Sequence, residues 1–279
     1  MARMRRSYVG FAVAALALLL IWLDYTMGRG WLAGGCIVIL LGLAAYELQA
    51  LAGEDRSSAA GAWTVAGTVL VALAVLVFAG DKRSAPVVEP FTLALCFVAV
   101  CLALVGDVGK SFRGTALAVL GIVYVGYFGS YLIRLRFMGT QHLVFVVACV
   151  KLCDSAAYYF GTYMGRHPLA PVRSPKKTVE GAVGGFGVSV LAAIALSKLL
   201  GLGLRYGIGG PILFGAVIGT LSHLGDLVES SFKRAVGRKD SGAVMPYIGG
   251  VLDLLDSLIL AAPVAWLLLD VLTELPRVD

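Results

Sequence analysis

The chain alternates between long apolar runs and short polar segments. A helix needs about 20 mainly apolar residues to cross the hydrocarbon core of a bilayer, which is roughly 30 Å thick. Nine runs approach this length: Tyr8–Leu23, Trp31–Leu51, Ala62–Gly80, Pro90–Val105, Thr115–Ile133, Gln141–Phe160, Ala182–Leu202, Ile208–Leu224 and Gly250–Leu269. The pattern therefore predicts an all-α, polytopic integral membrane protein with about nine transmembrane helices.

Composition excludes a water-soluble core. Mean hydropathy is +0.89 and only 14% of the residues are charged, values typical of a chain that lies in lipid. The net charge of +6 suits anionic lipid headgroups, and we expect no nucleic-acid partner. All five cysteines lie within apolar runs, so we interpret them as small hydrophobic residues and not as a disulfide or metal framework.

The distribution of positive charge predicts the orientation of the chain. Arg3, Arg5 and Arg6 precede the first run, which we interpret as a retained anchor because no small-residue cleavage site follows it. Loops on the side of the N-terminus hold the larger share of Lys and Arg, so this side is predicted to be cytoplasmic. We expect a bacterial inner membrane location with the active site facing the cytoplasm.

Polar motifs are concentrated in the second half of the chain. The sixth run carries Lys151 and Asp154 at i and i+3, a spacing that places them on one helical face. They either form a structural ion pair or belong to a site. We therefore predict that residues 1–140 are a transmembrane scaffold and residues 141–279 the catalytic region.

The segment after the sixth run has the composition of a phosphate site. Ser174, Pro175, Lys176, Lys177 and Thr178 follow one another, and backbone amides, hydroxyls and two ammonium groups suit a phosphate. Pro175 is expected at the first position of the next helix, with Ser174 capping that helix. The alternative is a basic loop that only fixes the topology.

The eighth run ends in a charged segment. Asp226 and Glu229 are three residues apart, and Lys233 and Arg234 follow one turn later. The two carboxylates therefore share a helix face. A solvated amphipathic face would also explain this pattern without any function.

The ninth run contains two carboxylates among apolar residues. Asp253 and Asp256 share one face, and Gly249 and Gly250 before them permit close backbone approach to a ligand. Ionisable groups inside a membrane helix indicate a functional site, and two like charges on one buried face indicate a cation. Together with Asp226, they predict Mg²⁺-assisted phosphoryl or nucleotidyl transfer.

The order of these motifs resembles the phosphatidate cytidylyltransferase family, the CDP-diacylglycerol synthases. The resemblance covers about Lys151 to Leu260 and rests on Asp154 with Ala157-Tyr158 and Gly161, followed by SPKKTVEG, GDLVESSFKR, KDSG and GGVLDLLDS. It implies an all-helical membrane fold and the condensation of CTP with phosphatidic acid to CDP-diacylglycerol and pyrophosphate. It also implies Mg²⁺, with a second cation such as K⁺ left open, and membrane lipids as partners. A homodimer is left open.

The resemblance assigns roles to matching positions. The catalytic positions are Asp226, Asp253, Asp256, Lys239 and Asp240, and the metal positions are Asp226, Asp253 and Asp256. The substrate-binding positions are Ser174, Lys176, Lys177, Thr178, Lys233, Arg234, Gly249, Gly250 and Asp154.

Two positions depart from the family signature. Ile248 stands where the family usually has His, and Leu254 where it usually has Arg. Lys239, His223 or Arg238 are candidates to replace the missing groups.

Other functions stay open at this point. They are a CTP-dependent transferase acting on another lipid phosphate or a lipid alcohol, a non-catalytic lipid-binding relative, and a transporter. The clustering of charges at helix ends disfavours a transporter, and the absence of an Asp-Gly-x-x-Ala-Arg run disfavours a CDP-alcohol phosphotransferase. The synthase hypothesis requires the ends of the sixth, eighth and ninth runs to meet.

Overall fold

The computed structural model describes residues 24, 26, 30–52, 59–78, 85–102, 108–237 and 250–273. These residues form helices, joined at one point by a short β-hairpin. The elements are α1 (Trp31–Ala52), α2 (Ala59–Phe78), α3 (Ala85–Leu102), α4 (Val108–Leu120), a π-helical segment (Gly121–Phe128), α5 (Gly129–Met138), α6 (Thr140–Met164), β1 (Pro168–Ala170), β2 (Ser174–Thr178), α7 (Val179–Leu199), α8 (Gly209–Ala235) and α9 (Val251–Leu272).

Seven helices of the described residues are long and apolar enough to cross a membrane. They cover Trp31–Leu51, Ala60–Phe78, Phe112–Met138, Thr140–Met164, Val179–Leu199, Gly209–Ala235 and Val251–Leu272. The helical, polytopic architecture is thus confirmed, but the count of nine is not. The first predicted span, residues 8–23, lies outside the described residues. The fourth, residues 90–105, corresponds to the shorter apolar helix Val87–Cys101.

The chain forms two compact units. Unit 1 takes the described residues up to Phe137 together with those between Ala235 and Leu255, and unit 2 takes Met138–Arg234 together with the described residues from Asp256 onward. Helix α9 therefore contributes its first turn to unit 1 and its remainder to unit 2.

Unit 1 has an apolar core built from α2, α3, α4 and the π-helical segment. Val71, Ala99 and Ile122 are almost completely buried there. Thr68 Oγ1 donates a hydrogen bond to the carbonyl oxygen of Gly121 at 3.1 Å, which ties α2 to the π-helical segment. A buried ion pair between Asp24 and Arg136 (2.5 Å) adds a charged contact within the same unit.

Unit 2 is held together by close helix packing around small residues. Helices α6 and α7 approach so closely at Gly185 that a Cβ atom there would lie 2.8 Å from the carbonyl oxygen of Cys153. The rings of Phe145 and Phe214 stack with centroids 4.7 Å apart, which packs α6 against α8. Ser189 Oγ donates to the Gly215 carbonyl oxygen at 2.9 Å. These contacts fix α6, α7 and α8 as one framework for the polar residues that they carry.

Candidate active site

The hairpin between α6 and α7 presents the predicted phosphate-binding segment. Its strands are antiparallel, with Pro168 opposite Thr178 and Ala170 opposite Ser174. The Glu180 carboxylate closes the open end of the hairpin, because it accepts the backbone N–H of Arg166 at 3.0 Å. It also lies 2.6 Å from Nδ1 of His167. The base of the hairpin is therefore anchored to the first turn of α7.

The predicted capping of α7 is wrong by four residues. The N-cap is Thr178, whose Oγ1 accepts the N–H of Gly181 at 3.1 Å, and not Ser174. Ser174 and Pro175 lie in β2. A proline is tolerated in an edge strand, so the two-stranded hairpin accommodates Pro175 and the helix begins after it.

Three carboxylates from three helices come together in unit 2. Asp154 comes from α6, Asp226 from α8 and Asp256 from α9. The carboxyl groups of Asp226 and Asp256 lie against each other, and the N–H of Ser257 donates to Asp256 Oδ1 at 2.6 Å. Ser257 Oγ donates to Asp226 Oδ1 at 3.0 Å and lies 3.5 Å from Asp154 Oδ1. The cluster thus joins residues that the sequence spreads over more than one hundred positions.

Lysine side chains reach this cluster from two elements. Nζ of Lys177 in the hairpin lies 2.8 Å from Asp226 Oδ2. Nζ of Lys151 lies 3.6 Å from Asp154 Oδ2, which confirms the ion pair that their spacing predicted. The Lys177 side chain is 25% exposed and that of Asp226 28%. The pair is therefore partly desolvated, a setting in which charge interactions are stronger than at an open surface.

Two buried serines, Ser222 and Ser257, belong to the cluster and were missed by the sequence analysis. Ser222 Oγ donates to Asp154 Oδ1 at 2.5 Å, and Ser257 bonds to Asp226 as described above. The only available signal was their spacing: Ser222 lies one helical turn before Asp226, and Ser257 directly follows Asp256. Hydroxyl groups are common in membrane helices, so this spacing alone is a weak signal.

The close approach of α8 to the unit 2 part of α9 depends on Gly225. A Cβ at this position would lie 2.7 Å from the Asp256 carbonyl oxygen and 2.8 Å from Ser257 Cα. Both atoms belong to the backbone, which cannot rotate away as a side chain can. The glycine before Asp226 therefore brings Asp226 within reach of Asp256.

A cavity of about 470 Å³ opens beside the carboxylates within unit 2. Its volume falls in the range of small-molecule sites. It is lined by Asp154, Ala157, Tyr158, Gly161, Thr162, Leu169, Lys176, Lys177, Thr178, Gly181, Ala182, His223 and Asp226. Cationic and anionic side chains thus face the same space, together with the N-terminal end of α7.

Lys233 and Arg234 make specific contacts at the end of α8. Lys233 Nζ lies 2.5 Å from Glu229 Oε2, and Glu229 is only 1% exposed. The alternative of a solvated amphipathic face is therefore wrong for Glu229. Arg234 Nε donates to the carbonyl oxygen of Arg173 at 3.3 Å, which links α8 to the hairpin.

Asp253 lies in unit 1, on the first turn of α9. Its Oδ2 accepts the N–H of Gly250 at 2.9 Å. In the same turn, the N–H of Leu252 donates to Oε2 of Glu47 at 2.8 Å, and Glu47 is 1% exposed. Acidic groups are favourable at a helix N-terminus. The expectation that Asp253 joins Asp226 and Asp256 stays a prediction.

Among the described residues, no group of three or more His, Cys, Asp or Glu side chains is arranged to hold a metal ion. Asp226 and Asp256 are the part of the predicted metal set that the structure brings together. Five of the site and signature positions named in the sequence analysis lie outside the described residues: Arg238, Lys239, Asp240, Ile248 and Gly249.

Comparison with known proteins gives one family. The model of the cytidylyltransferase family matches residues 4–272. A phosphatidate cytidylyltransferase of Staphylococcus epidermidis is 36% identical over 177 residues, which are 63% of this chain and 67% of that relative. One of Staphylococcus saprophyticus gives the same values. One of Staphylococcus aureus is 34% identical over 179 residues, with the same coverage of 63% and 67%.

Proposed function

The chain belongs to the cytidylyltransferase family, and on this premise we propose that it condenses CTP with phosphatidic acid to form CDP-diacylglycerol and pyrophosphate. The enzyme is a nucleotidyltransferase of phospholipid biosynthesis. The relatives named phosphatidate cytidylyltransferase, at 34% and 36% identity, support this substrate pair.

The cavity in unit 2 is the observation that carries the proposal. Lys176, Lys177 and Thr178 line it from the hairpin, and Asp226 lines it from α8. Lys177 and Asp226 form an ion pair across this space (2.8 Å). A cavity that offers ammonium groups, a hydroxyl and a helix N-terminus suits phosphate groups.

The reaction requires two anions to approach each other. A phosphate oxygen of phosphatidic acid forms a bond to the α-phosphorus of CTP, while the bond from that phosphorus to the oxygen bridging to the β-phosphate breaks and pyrophosphate leaves. The attacking phosphate is already ionised, so positioning and charge neutralisation carry most of the catalysis. Lys176 and Lys177 are the positive groups that the described part of the cavity offers for this task.

The carboxylate pair fits a divalent cation. Asp226 and Asp256 are in contact and supply only oxygen donors, the ligand type that Mg²⁺ prefers. Two adjacent carboxylates repel each other unless a proton or cation lies between them. Asp226 and Asp256 would hold Mg²⁺, and Asp253 is the third ligand that we propose. The bound ion would supply charge neutralisation for the phosphoryl group.

The same hypothesis gives a cellular location and assigns different roles to the two halves of the chain. We place the protein in the inner membrane of a bacterium with the cavity facing the cytoplasm, because basic loops predict this orientation. Residues 141–279 carry the catalytic groups, and residues 1–140 serve as a scaffold. CTP then reaches the site from the cytoplasm and phosphatidic acid from the membrane.

Conversion of radiolabelled CTP into a lipid-extractable product tests this function. The purified protein is assayed with phosphatidic acid and Mg²⁺, beside an Asp226→Asn variant that retains the wild-type melting temperature. We expect product that depends on lipid, on the metal and on Asp226. If product forms only with a different phosphorylated lipid, that lipid and not phosphatidic acid is the acceptor. A folded wild type that forms no product with any phosphorylated lipid would refute the transferase function.

A further inference from the structure

The imidazole of His223 lies at the wall of the cavity with one of its nitrogens already engaged. His223 is on α8, and its Nε2 is 3.0 Å from the carbonyl oxygen of Ala182 on α7. The Cys153 sulfur on α6 lies 3.7 Å from the same nitrogen. A carbonyl oxygen can only accept a hydrogen bond, so Nε2 is the donor. In the neutral ring, Nδ1 is then an acceptor.

The second ring nitrogen is available to a ligand. His223 lines the cavity together with Lys177 and Asp226, and Nδ1 has no hydrogen-bond partner among the described residues. The edge that carries Nε2 and Cε1 is fixed by α7, because Cε1 lies 2.9 Å from the position that a Cβ on Gly185 would take. The ring is thus held in place, and its Nδ1 can accept a hydrogen bond from a ligand.

An acceptor at this position distinguishes between the two substrates of the proposed function, on which this inference rests. Phosphatidic acid has both glycerol hydroxyls esterified, so its backbone offers acceptors only. CTP carries donors on its nucleoside, namely the ribose hydroxyls and the 4-amino group of cytosine. The lysines of the hairpin complement the phosphates of either substrate, whereas the lone pair of Nδ1 complements a hydrogen-bond donor, and the nucleoside carries such donors.

We propose that Nδ1 of His223 accepts a hydrogen bond from a hydroxyl or amino group of the nucleoside of CTP. His223 then contributes to nucleotide recognition, while Ala182 fixes the orientation of its ring. Loss of one such hydrogen bond weakens binding by about three- to tenfold.

Two substitutions separate recognition from packing. His223→Gln places an amide nitrogen near the position of Nε2, so it keeps the bond to Ala182 and loses the acceptor at Nδ1. His223→Asn keeps a polar group near Nδ1 and cannot reach Ala182. We expect His223→Gln to raise the Kd of CTP about three- to tenfold and to leave the KM for phosphatidic acid unchanged. His223→Asn should retain more CTP affinity and lose thermal stability.

The reverse pattern would overturn the inference. If His223→Gln keeps the wild-type affinity for CTP and His223→Asn loses it, the imidazole acts only through its bond to Ala182. An effect of His223→Gln confined to the KM for phosphatidic acid would place the contact on the lipid and would also overturn it.

Nucleotide analogues identify the donor. Equilibrium binding of CTP, dCTP, 3′-deoxy-CTP and UTP is measured on the wild type and on His223→Gln. We expect the wild type to bind one analogue, the one that lacks the donor, about three- to tenfold less tightly than CTP, and His223→Gln to lose this preference. Equal binding of all four nucleotides by the wild type, or a preference that survives in His223→Gln, would overturn the inference. Because binding is measured without turnover, a wild type that binds CTP and forms no CDP-diacylglycerol would contradict the proposed function alone.

Discussion

Replacement of Gly225 by alanine tests whether the close helix approach assembles the carboxylate pair. The added Cβ would lie 2.7 Å from the Asp256 carbonyl oxygen, about 0.7 Å short of the 3.4 Å at which ordinary contact begins. Since both contacting groups are backbone, the two helices must separate by several tenths of an ångström. The hydrogen bond from Ser257 Oγ to Asp226 Oδ1, now 3.0 Å, would lengthen toward the limit of hydrogen bonding.

Two effects of opposite sign act on stability. Alanine favours a helix over glycine by about 1 kcal/mol, whereas overpacking costs about 1–3 kcal/mol. We therefore expect Gly225→Ala to lower the free energy of unfolding by at most about 2 kcal/mol. Activity should fall much more, because a misplacement of about 1 Å at a reacting centre can cost on the order of 10²-fold in rate.

Gly187→Ala is the matched control. Gly187 lies in α7, and a Cβ there would meet nothing within 4 Å. This variant should gain helix stability and keep wild-type activity. The assay is CDP-diacylglycerol formation from CTP and phosphatidic acid, beside thermal unfolding in detergent. Wild-type turnover by Gly225→Ala would refute the argument that the distance between Asp226 and Asp256 limits the reaction.

Three further substitutions test individual groups. Asp253→Asn should abolish turnover and leave thermal unfolding unchanged, because an amide oxygen can still accept the Gly250 N–H but carries no charge; a full-rate variant would contradict a metal role. Lys177→Met should lower turnover by at least about 10²-fold, whereas Lys198→Met at the exposed end of α7 should be active; equal rates of the two variants would exclude Lys177 from phosphate neutralisation. Thr178→Val should lower the free energy of unfolding by about 1 kcal/mol through loss of the N-cap, and an unchanged melting temperature would show that the cap does not contribute.

The sequence predicted the helices well because the structure of a membrane-spanning segment depends mainly on its own residues. A chain in hydrocarbon must satisfy its own backbone hydrogen bonds, so each apolar run of sufficient length becomes a helix. The run 141–160 was predicted, and α6 covers Thr140–Met164. The ion pair between Lys151 and Asp154 was predictable for the same reason, since i and i+3 are neighbours on any helix.

The prediction of the hairpin segment failed where two local signals competed. The prediction relied on Ser174 before Pro175 as a helix start and did not use the N-cap preference of Thr178 before the apolar run. The structure selects Thr178, because strand pairing between Ala170 and Ser174 commits the earlier residues to an antiparallel hairpin. That pairing joins segments on both sides of a turn, which helix-start signals do not describe.

The sequence by itself determined the helical, membrane-spanning class of the protein and the residue types from which the proposed phosphate and metal site is built. Only the tertiary structure decided which of these residues meet. Asp226 contacts Asp256 and receives a hydrogen bond from Ser257, 31 residues away, because Gly225 permits a backbone approach that no periodicity encodes. The tertiary structure also orients the ring of His223, because Nε2 bonds to the carbonyl oxygen of Ala182 on α7. Helical spacing determines which side chains share a face, whereas the crossing of helices is set by packing between residues far apart in the chain.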